Sequence, residues 1–211
     1  KSFIESNPSC SHVLMRRSSS SMKSDEPYSA RLGGATGISP YRDKDERRLS
    51  DLSGSFRDKR VVEEILSKGE DPVIYEVYEV PQASVAGMLN VGGTVIYPGK
   101  IGDEYYLTKG HFHKKESTSE VYIGLEGEGI ILVQDRKGQV VSLEIGPNVL
   151  VYIPPNTAHR SVNTGSGRLV FLAIYPSDAG HDYESIERTG FAKIVVERDG
   201  KPAIEDNPNF H

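Results

Sequence analysis

The sequence predicts an all-β domain, a sandwich or small barrel of short strands, preceded by one helix. Three observations carry this reading. Apolar runs are short and partly alternate with polar residues, the period of a strand with one buried face. Gly and Pro, 21 and 12 of 211 residues, separate many of them. Turn signals recur about every 8–12 residues, the spacing of sandwiches and barrels.

The elements follow in order. Residues 1–21 are read as a leader or extension. They hold Ser2, Ser6, Ser9, Ser11 and the run Ser18 to Ser21, with Arg16, Arg17 and a single acid, Glu5. This Ser- and Arg-rich, acid-poor composition weakly resembles a transit peptide; a disordered leader is the simpler reading. Met22 is a candidate start. Residues 22–56 read as a polar arm laid over the domain. Within it, Arg47-Arg48-Leu49-Ser50 has the form of a kinase site directed by basic residues. The preferred reading pairs both arginines with surface acids.

Residues 57–211 read as the domain proper. Val61, Val62, Ile65 and Leu66 make one apolar stripe, predicting a helix over 57–68, and Gly69 is a natural stop. Roughly nine strands follow. They are placed at 73–78, 94–97, 105–108, 120–125, 130–134, 140–145, 149–153, 169–175 and 192–197.

The net charge is −5, and no basic cluster stands out, which argues against a nucleic-acid partner. Cys10 is the single cysteine, so no intrachain disulfide can form. That favours a reducing, cytoplasmic setting. No apolar run approaches the roughly 18–20 residues of a membrane-spanning helix, so no membrane partner is expected.

Six histidines occur, and His12 and His211 lie near the ends. His111-Phe112-His113 on a strand would point both imidazoles to one side. Six residues, Lys114 to Ser119, form a polar turn before Glu120. Glu120, Tyr122 and Gly124 then share one strand face. His159 follows the strand at 149–153, after Pro154-Pro155. Three imidazoles and one carboxylate make a nitrogen–oxygen site suited to Fe(II), Mn(II), Zn(II), Ni(II) or Co(II).

These spacings resemble the two cupin motifs. His111, His113, Glu120 and Gly127 match the first, and Pro154, His159 and Asn163 the second. Tyr105 stands where a Gly is usual, and the gap to Glu120 is longer than the generic motif. Asn156 replaces the usual turn Gly, a mild change. The resemblance implies a double-stranded β-barrel, a jelly roll, with the metal inside.

A sharper resemblance is to the archaeal-type, cupin glucose-6-phosphate isomerases. It rests on Thr108-Lys109-Gly110-His111-Phe112-His113, on the long gap before Glu120, and on further runs. These include Arg47 to Asp51, Asp71 to Tyr78, Tyr97 to Lys100, Ala173 to Pro176 and Asp178 to Tyr183. It implies interconversion of glucose 6-phosphate and fructose 6-phosphate in a homodimer, with one divalent metal per subunit, Fe(II) favoured. His111, His113, Glu120 and His159 would hold the metal. Tyr75, Thr94, Thr108 and the Gly110 N–H would hold phosphate, with Tyr183 nearby and Tyr175 lining the pocket.

The remaining roles are catalytic. Glu120 is the candidate base if it is not fully engaged as a ligand. Tyr122 would hydrogen-bond sugar oxygens, and His181 would contact the open-chain sugar or assist ring opening. Proton transfer and a metal-promoted hydride shift both stay open. Two rival readings use the same residues: a cupin dioxygenase and a sugar-binding module without turnover.

Overall fold

The computed structural model describes residues 26–211, so the leader, Cys10, His12 and Met22 lie outside the described residues. The short strands β1 (Arg31–Leu32) and β2 (Ile38–Ser39) precede β3 (Asp43–Arg48) and helix α1 (Lys59–Ser67). Next come β4 (Val73–Val80), β5 (Leu89–Ile96), β6 (Lys100–Ile101), β7 (Glu104–Tyr105) and β8 (Phe112–His113). The central strands are β9 (Glu120–Glu126), β10 (Gly129–Gln134), β11 (Val140–Ile145), β12 (Leu150–Ile153), β13 (Ala158–Asn163) and β14 (Leu169–Pro176). The chain closes with β15 (His181–Asp182), α2 (Tyr183–Thr189), β16 (Lys193–Arg198) and β17 (Lys201–Asp206).

One wall is a six-stranded antiparallel sheet in the order β12-β9-β14-β5-β4-β3. The other is built from β11-β10-β13, β17-β16-β7-β6 and the pair β15-β8. The mainly β layout of short antiparallel strands expected from the sequence is what the chain adopts. The ladders do not close into one continuous barrel, so the walls stay separate sheets around a shared core. Ile74, Ile96, Ile131, Val151, Leu169 and Phe171, from five strands, meet in that core.

Local chemistry explains the elements. Asp58 caps α1 by accepting a bond from the Val61 N–H at 3.1 Å, and Gly69, at φ +78°, ends it. Val62 enters the core, with Val61, Ile65 and Leu66 packed at its edge. On β9, Glu120, Tyr122 and Gly124 are buried while Val121 and Ile123 are half-exposed on the other face.

Of the elements not read from the sequence, three are instructive. β3 is a run of six charged residues, which no apolar pattern announces, yet it pairs with β4 across six residues. Arg48 meets Glu46 at 2.6 Å there, and Arg47 pairs with Asp45, so the preferred pairing of both arginines with acids holds. The arm is stitched down just beyond, where Leu49, Leu52 and Phe56 are buried. β13 escaped because all six of its residues are buried, polar ones included, so no alternation marks it. Helix α2 escaped because it is short and buries a single residue, Ile186.

The arm also crosses the outer face of the six-stranded sheet. A Cβ on Gly93 would lie 2.2 Å from the Thr36 carbonyl oxygen, so only Gly allows that crossing. Among the described residues, no helix is long and apolar enough to cross a membrane.

Candidate metal centre and active site

The site forms where β13 meets the segment leading into β8. His111 and His159 bond backbone to backbone in both directions, at 3.3 and 3.1 Å. His113, on β8, pairs in register with His181 on β15. Glu120 opens β9 opposite Ile153. Four elements thus aim four side chains at one point. The ligand atoms of His111, His113, Glu120 and His159 all lie within 4.8 Å of one another.

Polar accounting shows what this cluster is built for. His113, Glu120 and His159 are 6, 4 and 2% exposed. His111 Nε2 and both ring nitrogens of His159 make no hydrogen bond among the described residues. His159 Nε2 approaches Glu120 Oε2 to 2.9 Å, but not in hydrogen-bond geometry. Each unmade buried bond costs about 1–3 kcal/mol, and a cation shared among these lone pairs removes that cost.

The tautomer of His113 agrees. Thr118 Oγ1 donates to the Lys115 carbonyl at 2.7 Å. Its oxygen therefore accepts from His113 Nδ1–H, 2.8 Å away. In the neutral ring this leaves the Nε2 lone pair facing the cluster, 3.3 Å from Glu120 Oε2, where either a proton or a metal cation can sit between them. A lone pair and a carboxylate face to face need a positive charge between them.

Charge states follow. Burial pushes Glu120 up, but His159 and His113 outweigh it and hold the carboxyl near pKa 2. Burial, reinforced by the other imidazoles, holds His111 well below the usual histidine range. Burial likewise lowers His181. Burial alone would lower His113, and the Glu120 carboxylate raises it instead.

A cavity of about 340 Å³ opens from the cluster. The structure brings to its wall every expected site residue except His113: Tyr75, Thr94, Thr108, Gly110, His111, Glu120, Tyr122, His159, Tyr175, His181 and Tyr183. Thr108 Oγ1 accepts from the Ser161 N–H at 3.0 Å, so its own proton is free to donate. The ring of His181 stacks on Tyr183 and meets His111 edge-on, with centroids 5.6 and 4.4 Å apart. Burial raises the phenols of Tyr75, Tyr122, Tyr175 and Tyr183, so all four remain neutral O–H donors.

The profile of the glucose-6-phosphate isomerase family matches residues 46–209. The chain belongs to the glucose-6-phosphate isomerase family. It is 47% identical over 189 residues to the glucose-6-phosphate isomerase of Thermococcus litoralis, covering 90% of this chain and 99% of that one. It is 48% identical over 185 residues to that of Pyrococcus furiosus, with coverages of 88% and 97%. Among solved structures, a variant of Bacillus subtilis oxalate decarboxylase aligns with TM-score 0.41 and 21% identity, over 51% of this chain and 27% of that one. An oxalate oxidase aligns with TM-score 0.45 and 13% identity, over 56 and 58%.

Three charged cavity residues of this isomerase-family chain were not read as site residues: Asp45, Arg47 and Glu79. A signal for Glu79 existed, because Tyr75, Val77 and Glu79 share one face of β4. Its carboxylate accepts a bond from the Tyr175 hydroxyl. Burial nonetheless raises its pKa. Arg47 and Asp45 arrive on β3, whose sequence gives no sign of reaching inward.

A larger cavity, about 780 Å³, lies between the loop before α1, the end of α2 and the C-terminal tail. Its charges are largely matched. Lys109 pairs with Glu187 at 2.5 Å, Arg57 pairs with Asp103, and Lys59 donates to the carbonyls of Ser53 and Gly54.

Proposed function

We propose that this protein interconverts glucose 6-phosphate and fructose 6-phosphate with one bound divalent metal. The observation that carries the reading is a nitrogen–oxygen cluster with unsatisfied lone pairs at a cavity wall that also presents hydroxyl donors. His111, His113, Glu120 and His159 would hold the ion, with Fe(II) favoured and Mn(II), Zn(II), Ni(II) or Co(II) accepted by the same donors. Such an ion supplies Lewis-acid polarisation of the sugar carbonyl.

The chain's own residues do the rest. Thr94, Thr108, the Gly110 N–H and the phenols of Tyr75 and Tyr183 donate to the phosphate and fix the sugar's register. Tyr122 donates to a sugar oxygen beside the cluster, and Tyr175 lines the wall. His181 is neutral at pH 7, so it can take the ring hydroxyl proton as the sugar opens. Glu120, ionised far below neutral pH, suits a ligand better than a base. It serves as the base only to the extent that metal binding leaves one oxygen free.

The test is an isomerase assay after chelation, with each metal added back. Turnover that disappears on chelation and returns with a metal supports the reading. A folded protein that binds metal and shows no turnover overturns it, and oxygen uptake would then point to the dioxygenase alternative.

We also propose a homodimer joined through the outer face of the six-stranded sheet. Leu150 and Tyr152 on β12 and Leu89 on β5 are 61, 54 and 53% exposed. Val121, Ile123 and Ile174 flank them on the same face. Sedimentation as a 23.2 kDa monomer would overturn the dimer. The single cysteine in 211 residues supports the cytoplasmic assignment.

A further inference from the structure

Arg160 follows the metal-cluster residue His159 on β13. Alternation sends the two side chains to opposite faces: His159 lines the smaller cavity and Arg160 the larger one. Arg160 is 3% exposed and has no carboxylate within ion-pair distance among the described residues. Its Nε has no hydrogen-bond partner there either. The Glu104 carboxylate favours the charge from beyond ion-pair distance, but a buried guanidinium with no direct ion pair is still costly, which makes the contacts it does form informative.

Two contacts stand out. Arg160 Nη2 donates to the Lys109 carbonyl at 2.7 Å. The guanidinium carbon also lies 4.4 Å from the centroid of the Phe191 ring. Phe191 is fully buried and its carbonyl is held by Asn207 Nδ2 at 2.7 Å. The same ring presses on Gly110, where a Cβ would lie 2.6 Å from Phe191 Cε2. Gly110 sits at φ +75°. Arg160 and Phe191 therefore form a platform under the loop Thr108-Lys109-Gly110.

The Lys109 carbonyl and the Gly110 N–H belong to one peptide unit. That unit is trans, because the cis bond found among the described residues is Ser39–Pro40. In a trans peptide the C=O and N–H point in opposite directions. A guanidinium fixed to the oxygen on the far side thus aims the N–H at the small cavity, whose wall includes Gly110. The Gly110 N–H donates to no backbone carbonyl among the described residues. The charge behind the carbonyl also polarises the amide and strengthens it as a donor to an anion.

We propose that Arg160 is the positioning residue of the phosphate subsite, acting through the Lys109–Gly110 peptide. It touches neither substrate nor metal. This rests on the isomerase reading, because that reading places the phosphate at Gly110.

The test compares parent, Arg160→Met and Arg160→Lys as metal-loaded proteins. Methionine keeps the bulk and removes the charge; lysine keeps the charge and loses the planar fork. Two quantities are read: the KM and kcat for fructose 6-phosphate, and the affinity for inorganic phosphate by titration calorimetry. The expected result for Arg160→Met is a KM about tenfold higher, from loss of a charge-assisted bond, with kcat within about threefold. Phosphate affinity falls by the same factor, Arg160→Lys recovers part of both, and metal content stays at the parent value.

Unchanged KM and phosphate affinity in both variants would overturn the proposal while parent turnover leaves the isomerase reading intact. So would a loss carried by kcat and metal content together, which would make Arg160 a support for the metal cluster. If Arg160→Met does not fold, Arg160→Lys alone decides on the same two readouts. A parent without turnover that still loses phosphate affinity on Arg160→Met would sink the isomerase reading and keep the subsite.

Discussion

The two cavities share a wall at β13 and differ in kind. The larger, about 780 Å³, is lined by charges that are mostly paired with one another or with backbone. The smaller, about 340 Å³, is lined by imidazole nitrogens without hydrogen-bond partners among the described residues, by a hydroxyl and by four neutral phenols. Volume alone would select the larger. What separates them is unspent hydrogen-bonding capacity, which is costly in a folded chain unless a ligand uses it.

The sharpest way to break this contrast is to remove a lone pair from the smaller cavity. His159→Ala is expected to abolish metal binding and lower kcat/KM by about a thousandfold or more, as loss of a catalytic ion does. Metal content by plasma emission spectrometry and the coupled isomerase assay check this together. Retained metal with full activity would mean that the cluster is an ordinary buried polar group.

A smaller effect is expected at the other end of the cavity. Thr108→Val removes the free hydroxyl donor while keeping the shape, and should raise KM for fructose 6-phosphate about tenfold with kcat nearly unchanged. Equal losses in KM and kcat would instead place Thr108 at the reacting carbons. In the larger cavity, Arg188→Ala should leave kcat/KM within about twofold, as surface changes away from a site do. A tenfold loss there would show that the larger cavity takes part in turnover by a route other than Arg160.

The smallest expected effect is thermal. Burial raises the Glu79 carboxyl above its unfolded value. A raised carboxyl contributes stability that is complete below the unfolded pKa, about 4.5, and is lost as pH climbs through the folded value. Glu79→Gln should therefore match the parent melt near pH 4 and exceed it by about 2 °C near pH 8, for a domain of this size. Differential scanning calorimetry across that range checks it. A difference that shrinks as pH rises would mean that the Tyr175 bond outweighs burial.

Much of this was legible in the residues. Alternation in His111-Phe112-His113 and along Glu120 to Leu125 predicts which side chains meet, because a strand's period depends on backbone geometry alone. The helix over 57–68 reads from its stripe and Gly69. What was not legible depends on burial by distant partners. In β13 both faces are covered, so Ala158 to Asn163 show no alternation. The inward reach of Arg47 on a charged strand, and the contact of Arg160 with a carbonyl 51 residues earlier, are set by packing between segments far apart in the chain.

The charged strand β3 has a further consequence, away from the site. Among the described residues it is the last strand of the six-stranded sheet, and that edge carries Asp43, Lys44, Asp45, Glu46, Arg47 and Arg48 in succession. A second chain adding there would have to bring its own backbone against six formal charges of both signs. Charged edges of this kind discourage strand addition. The sheet therefore has a built-in terminus, one that guards the chain against fibre-like growth in a crowded solution and leaves any orderly self-association to faces.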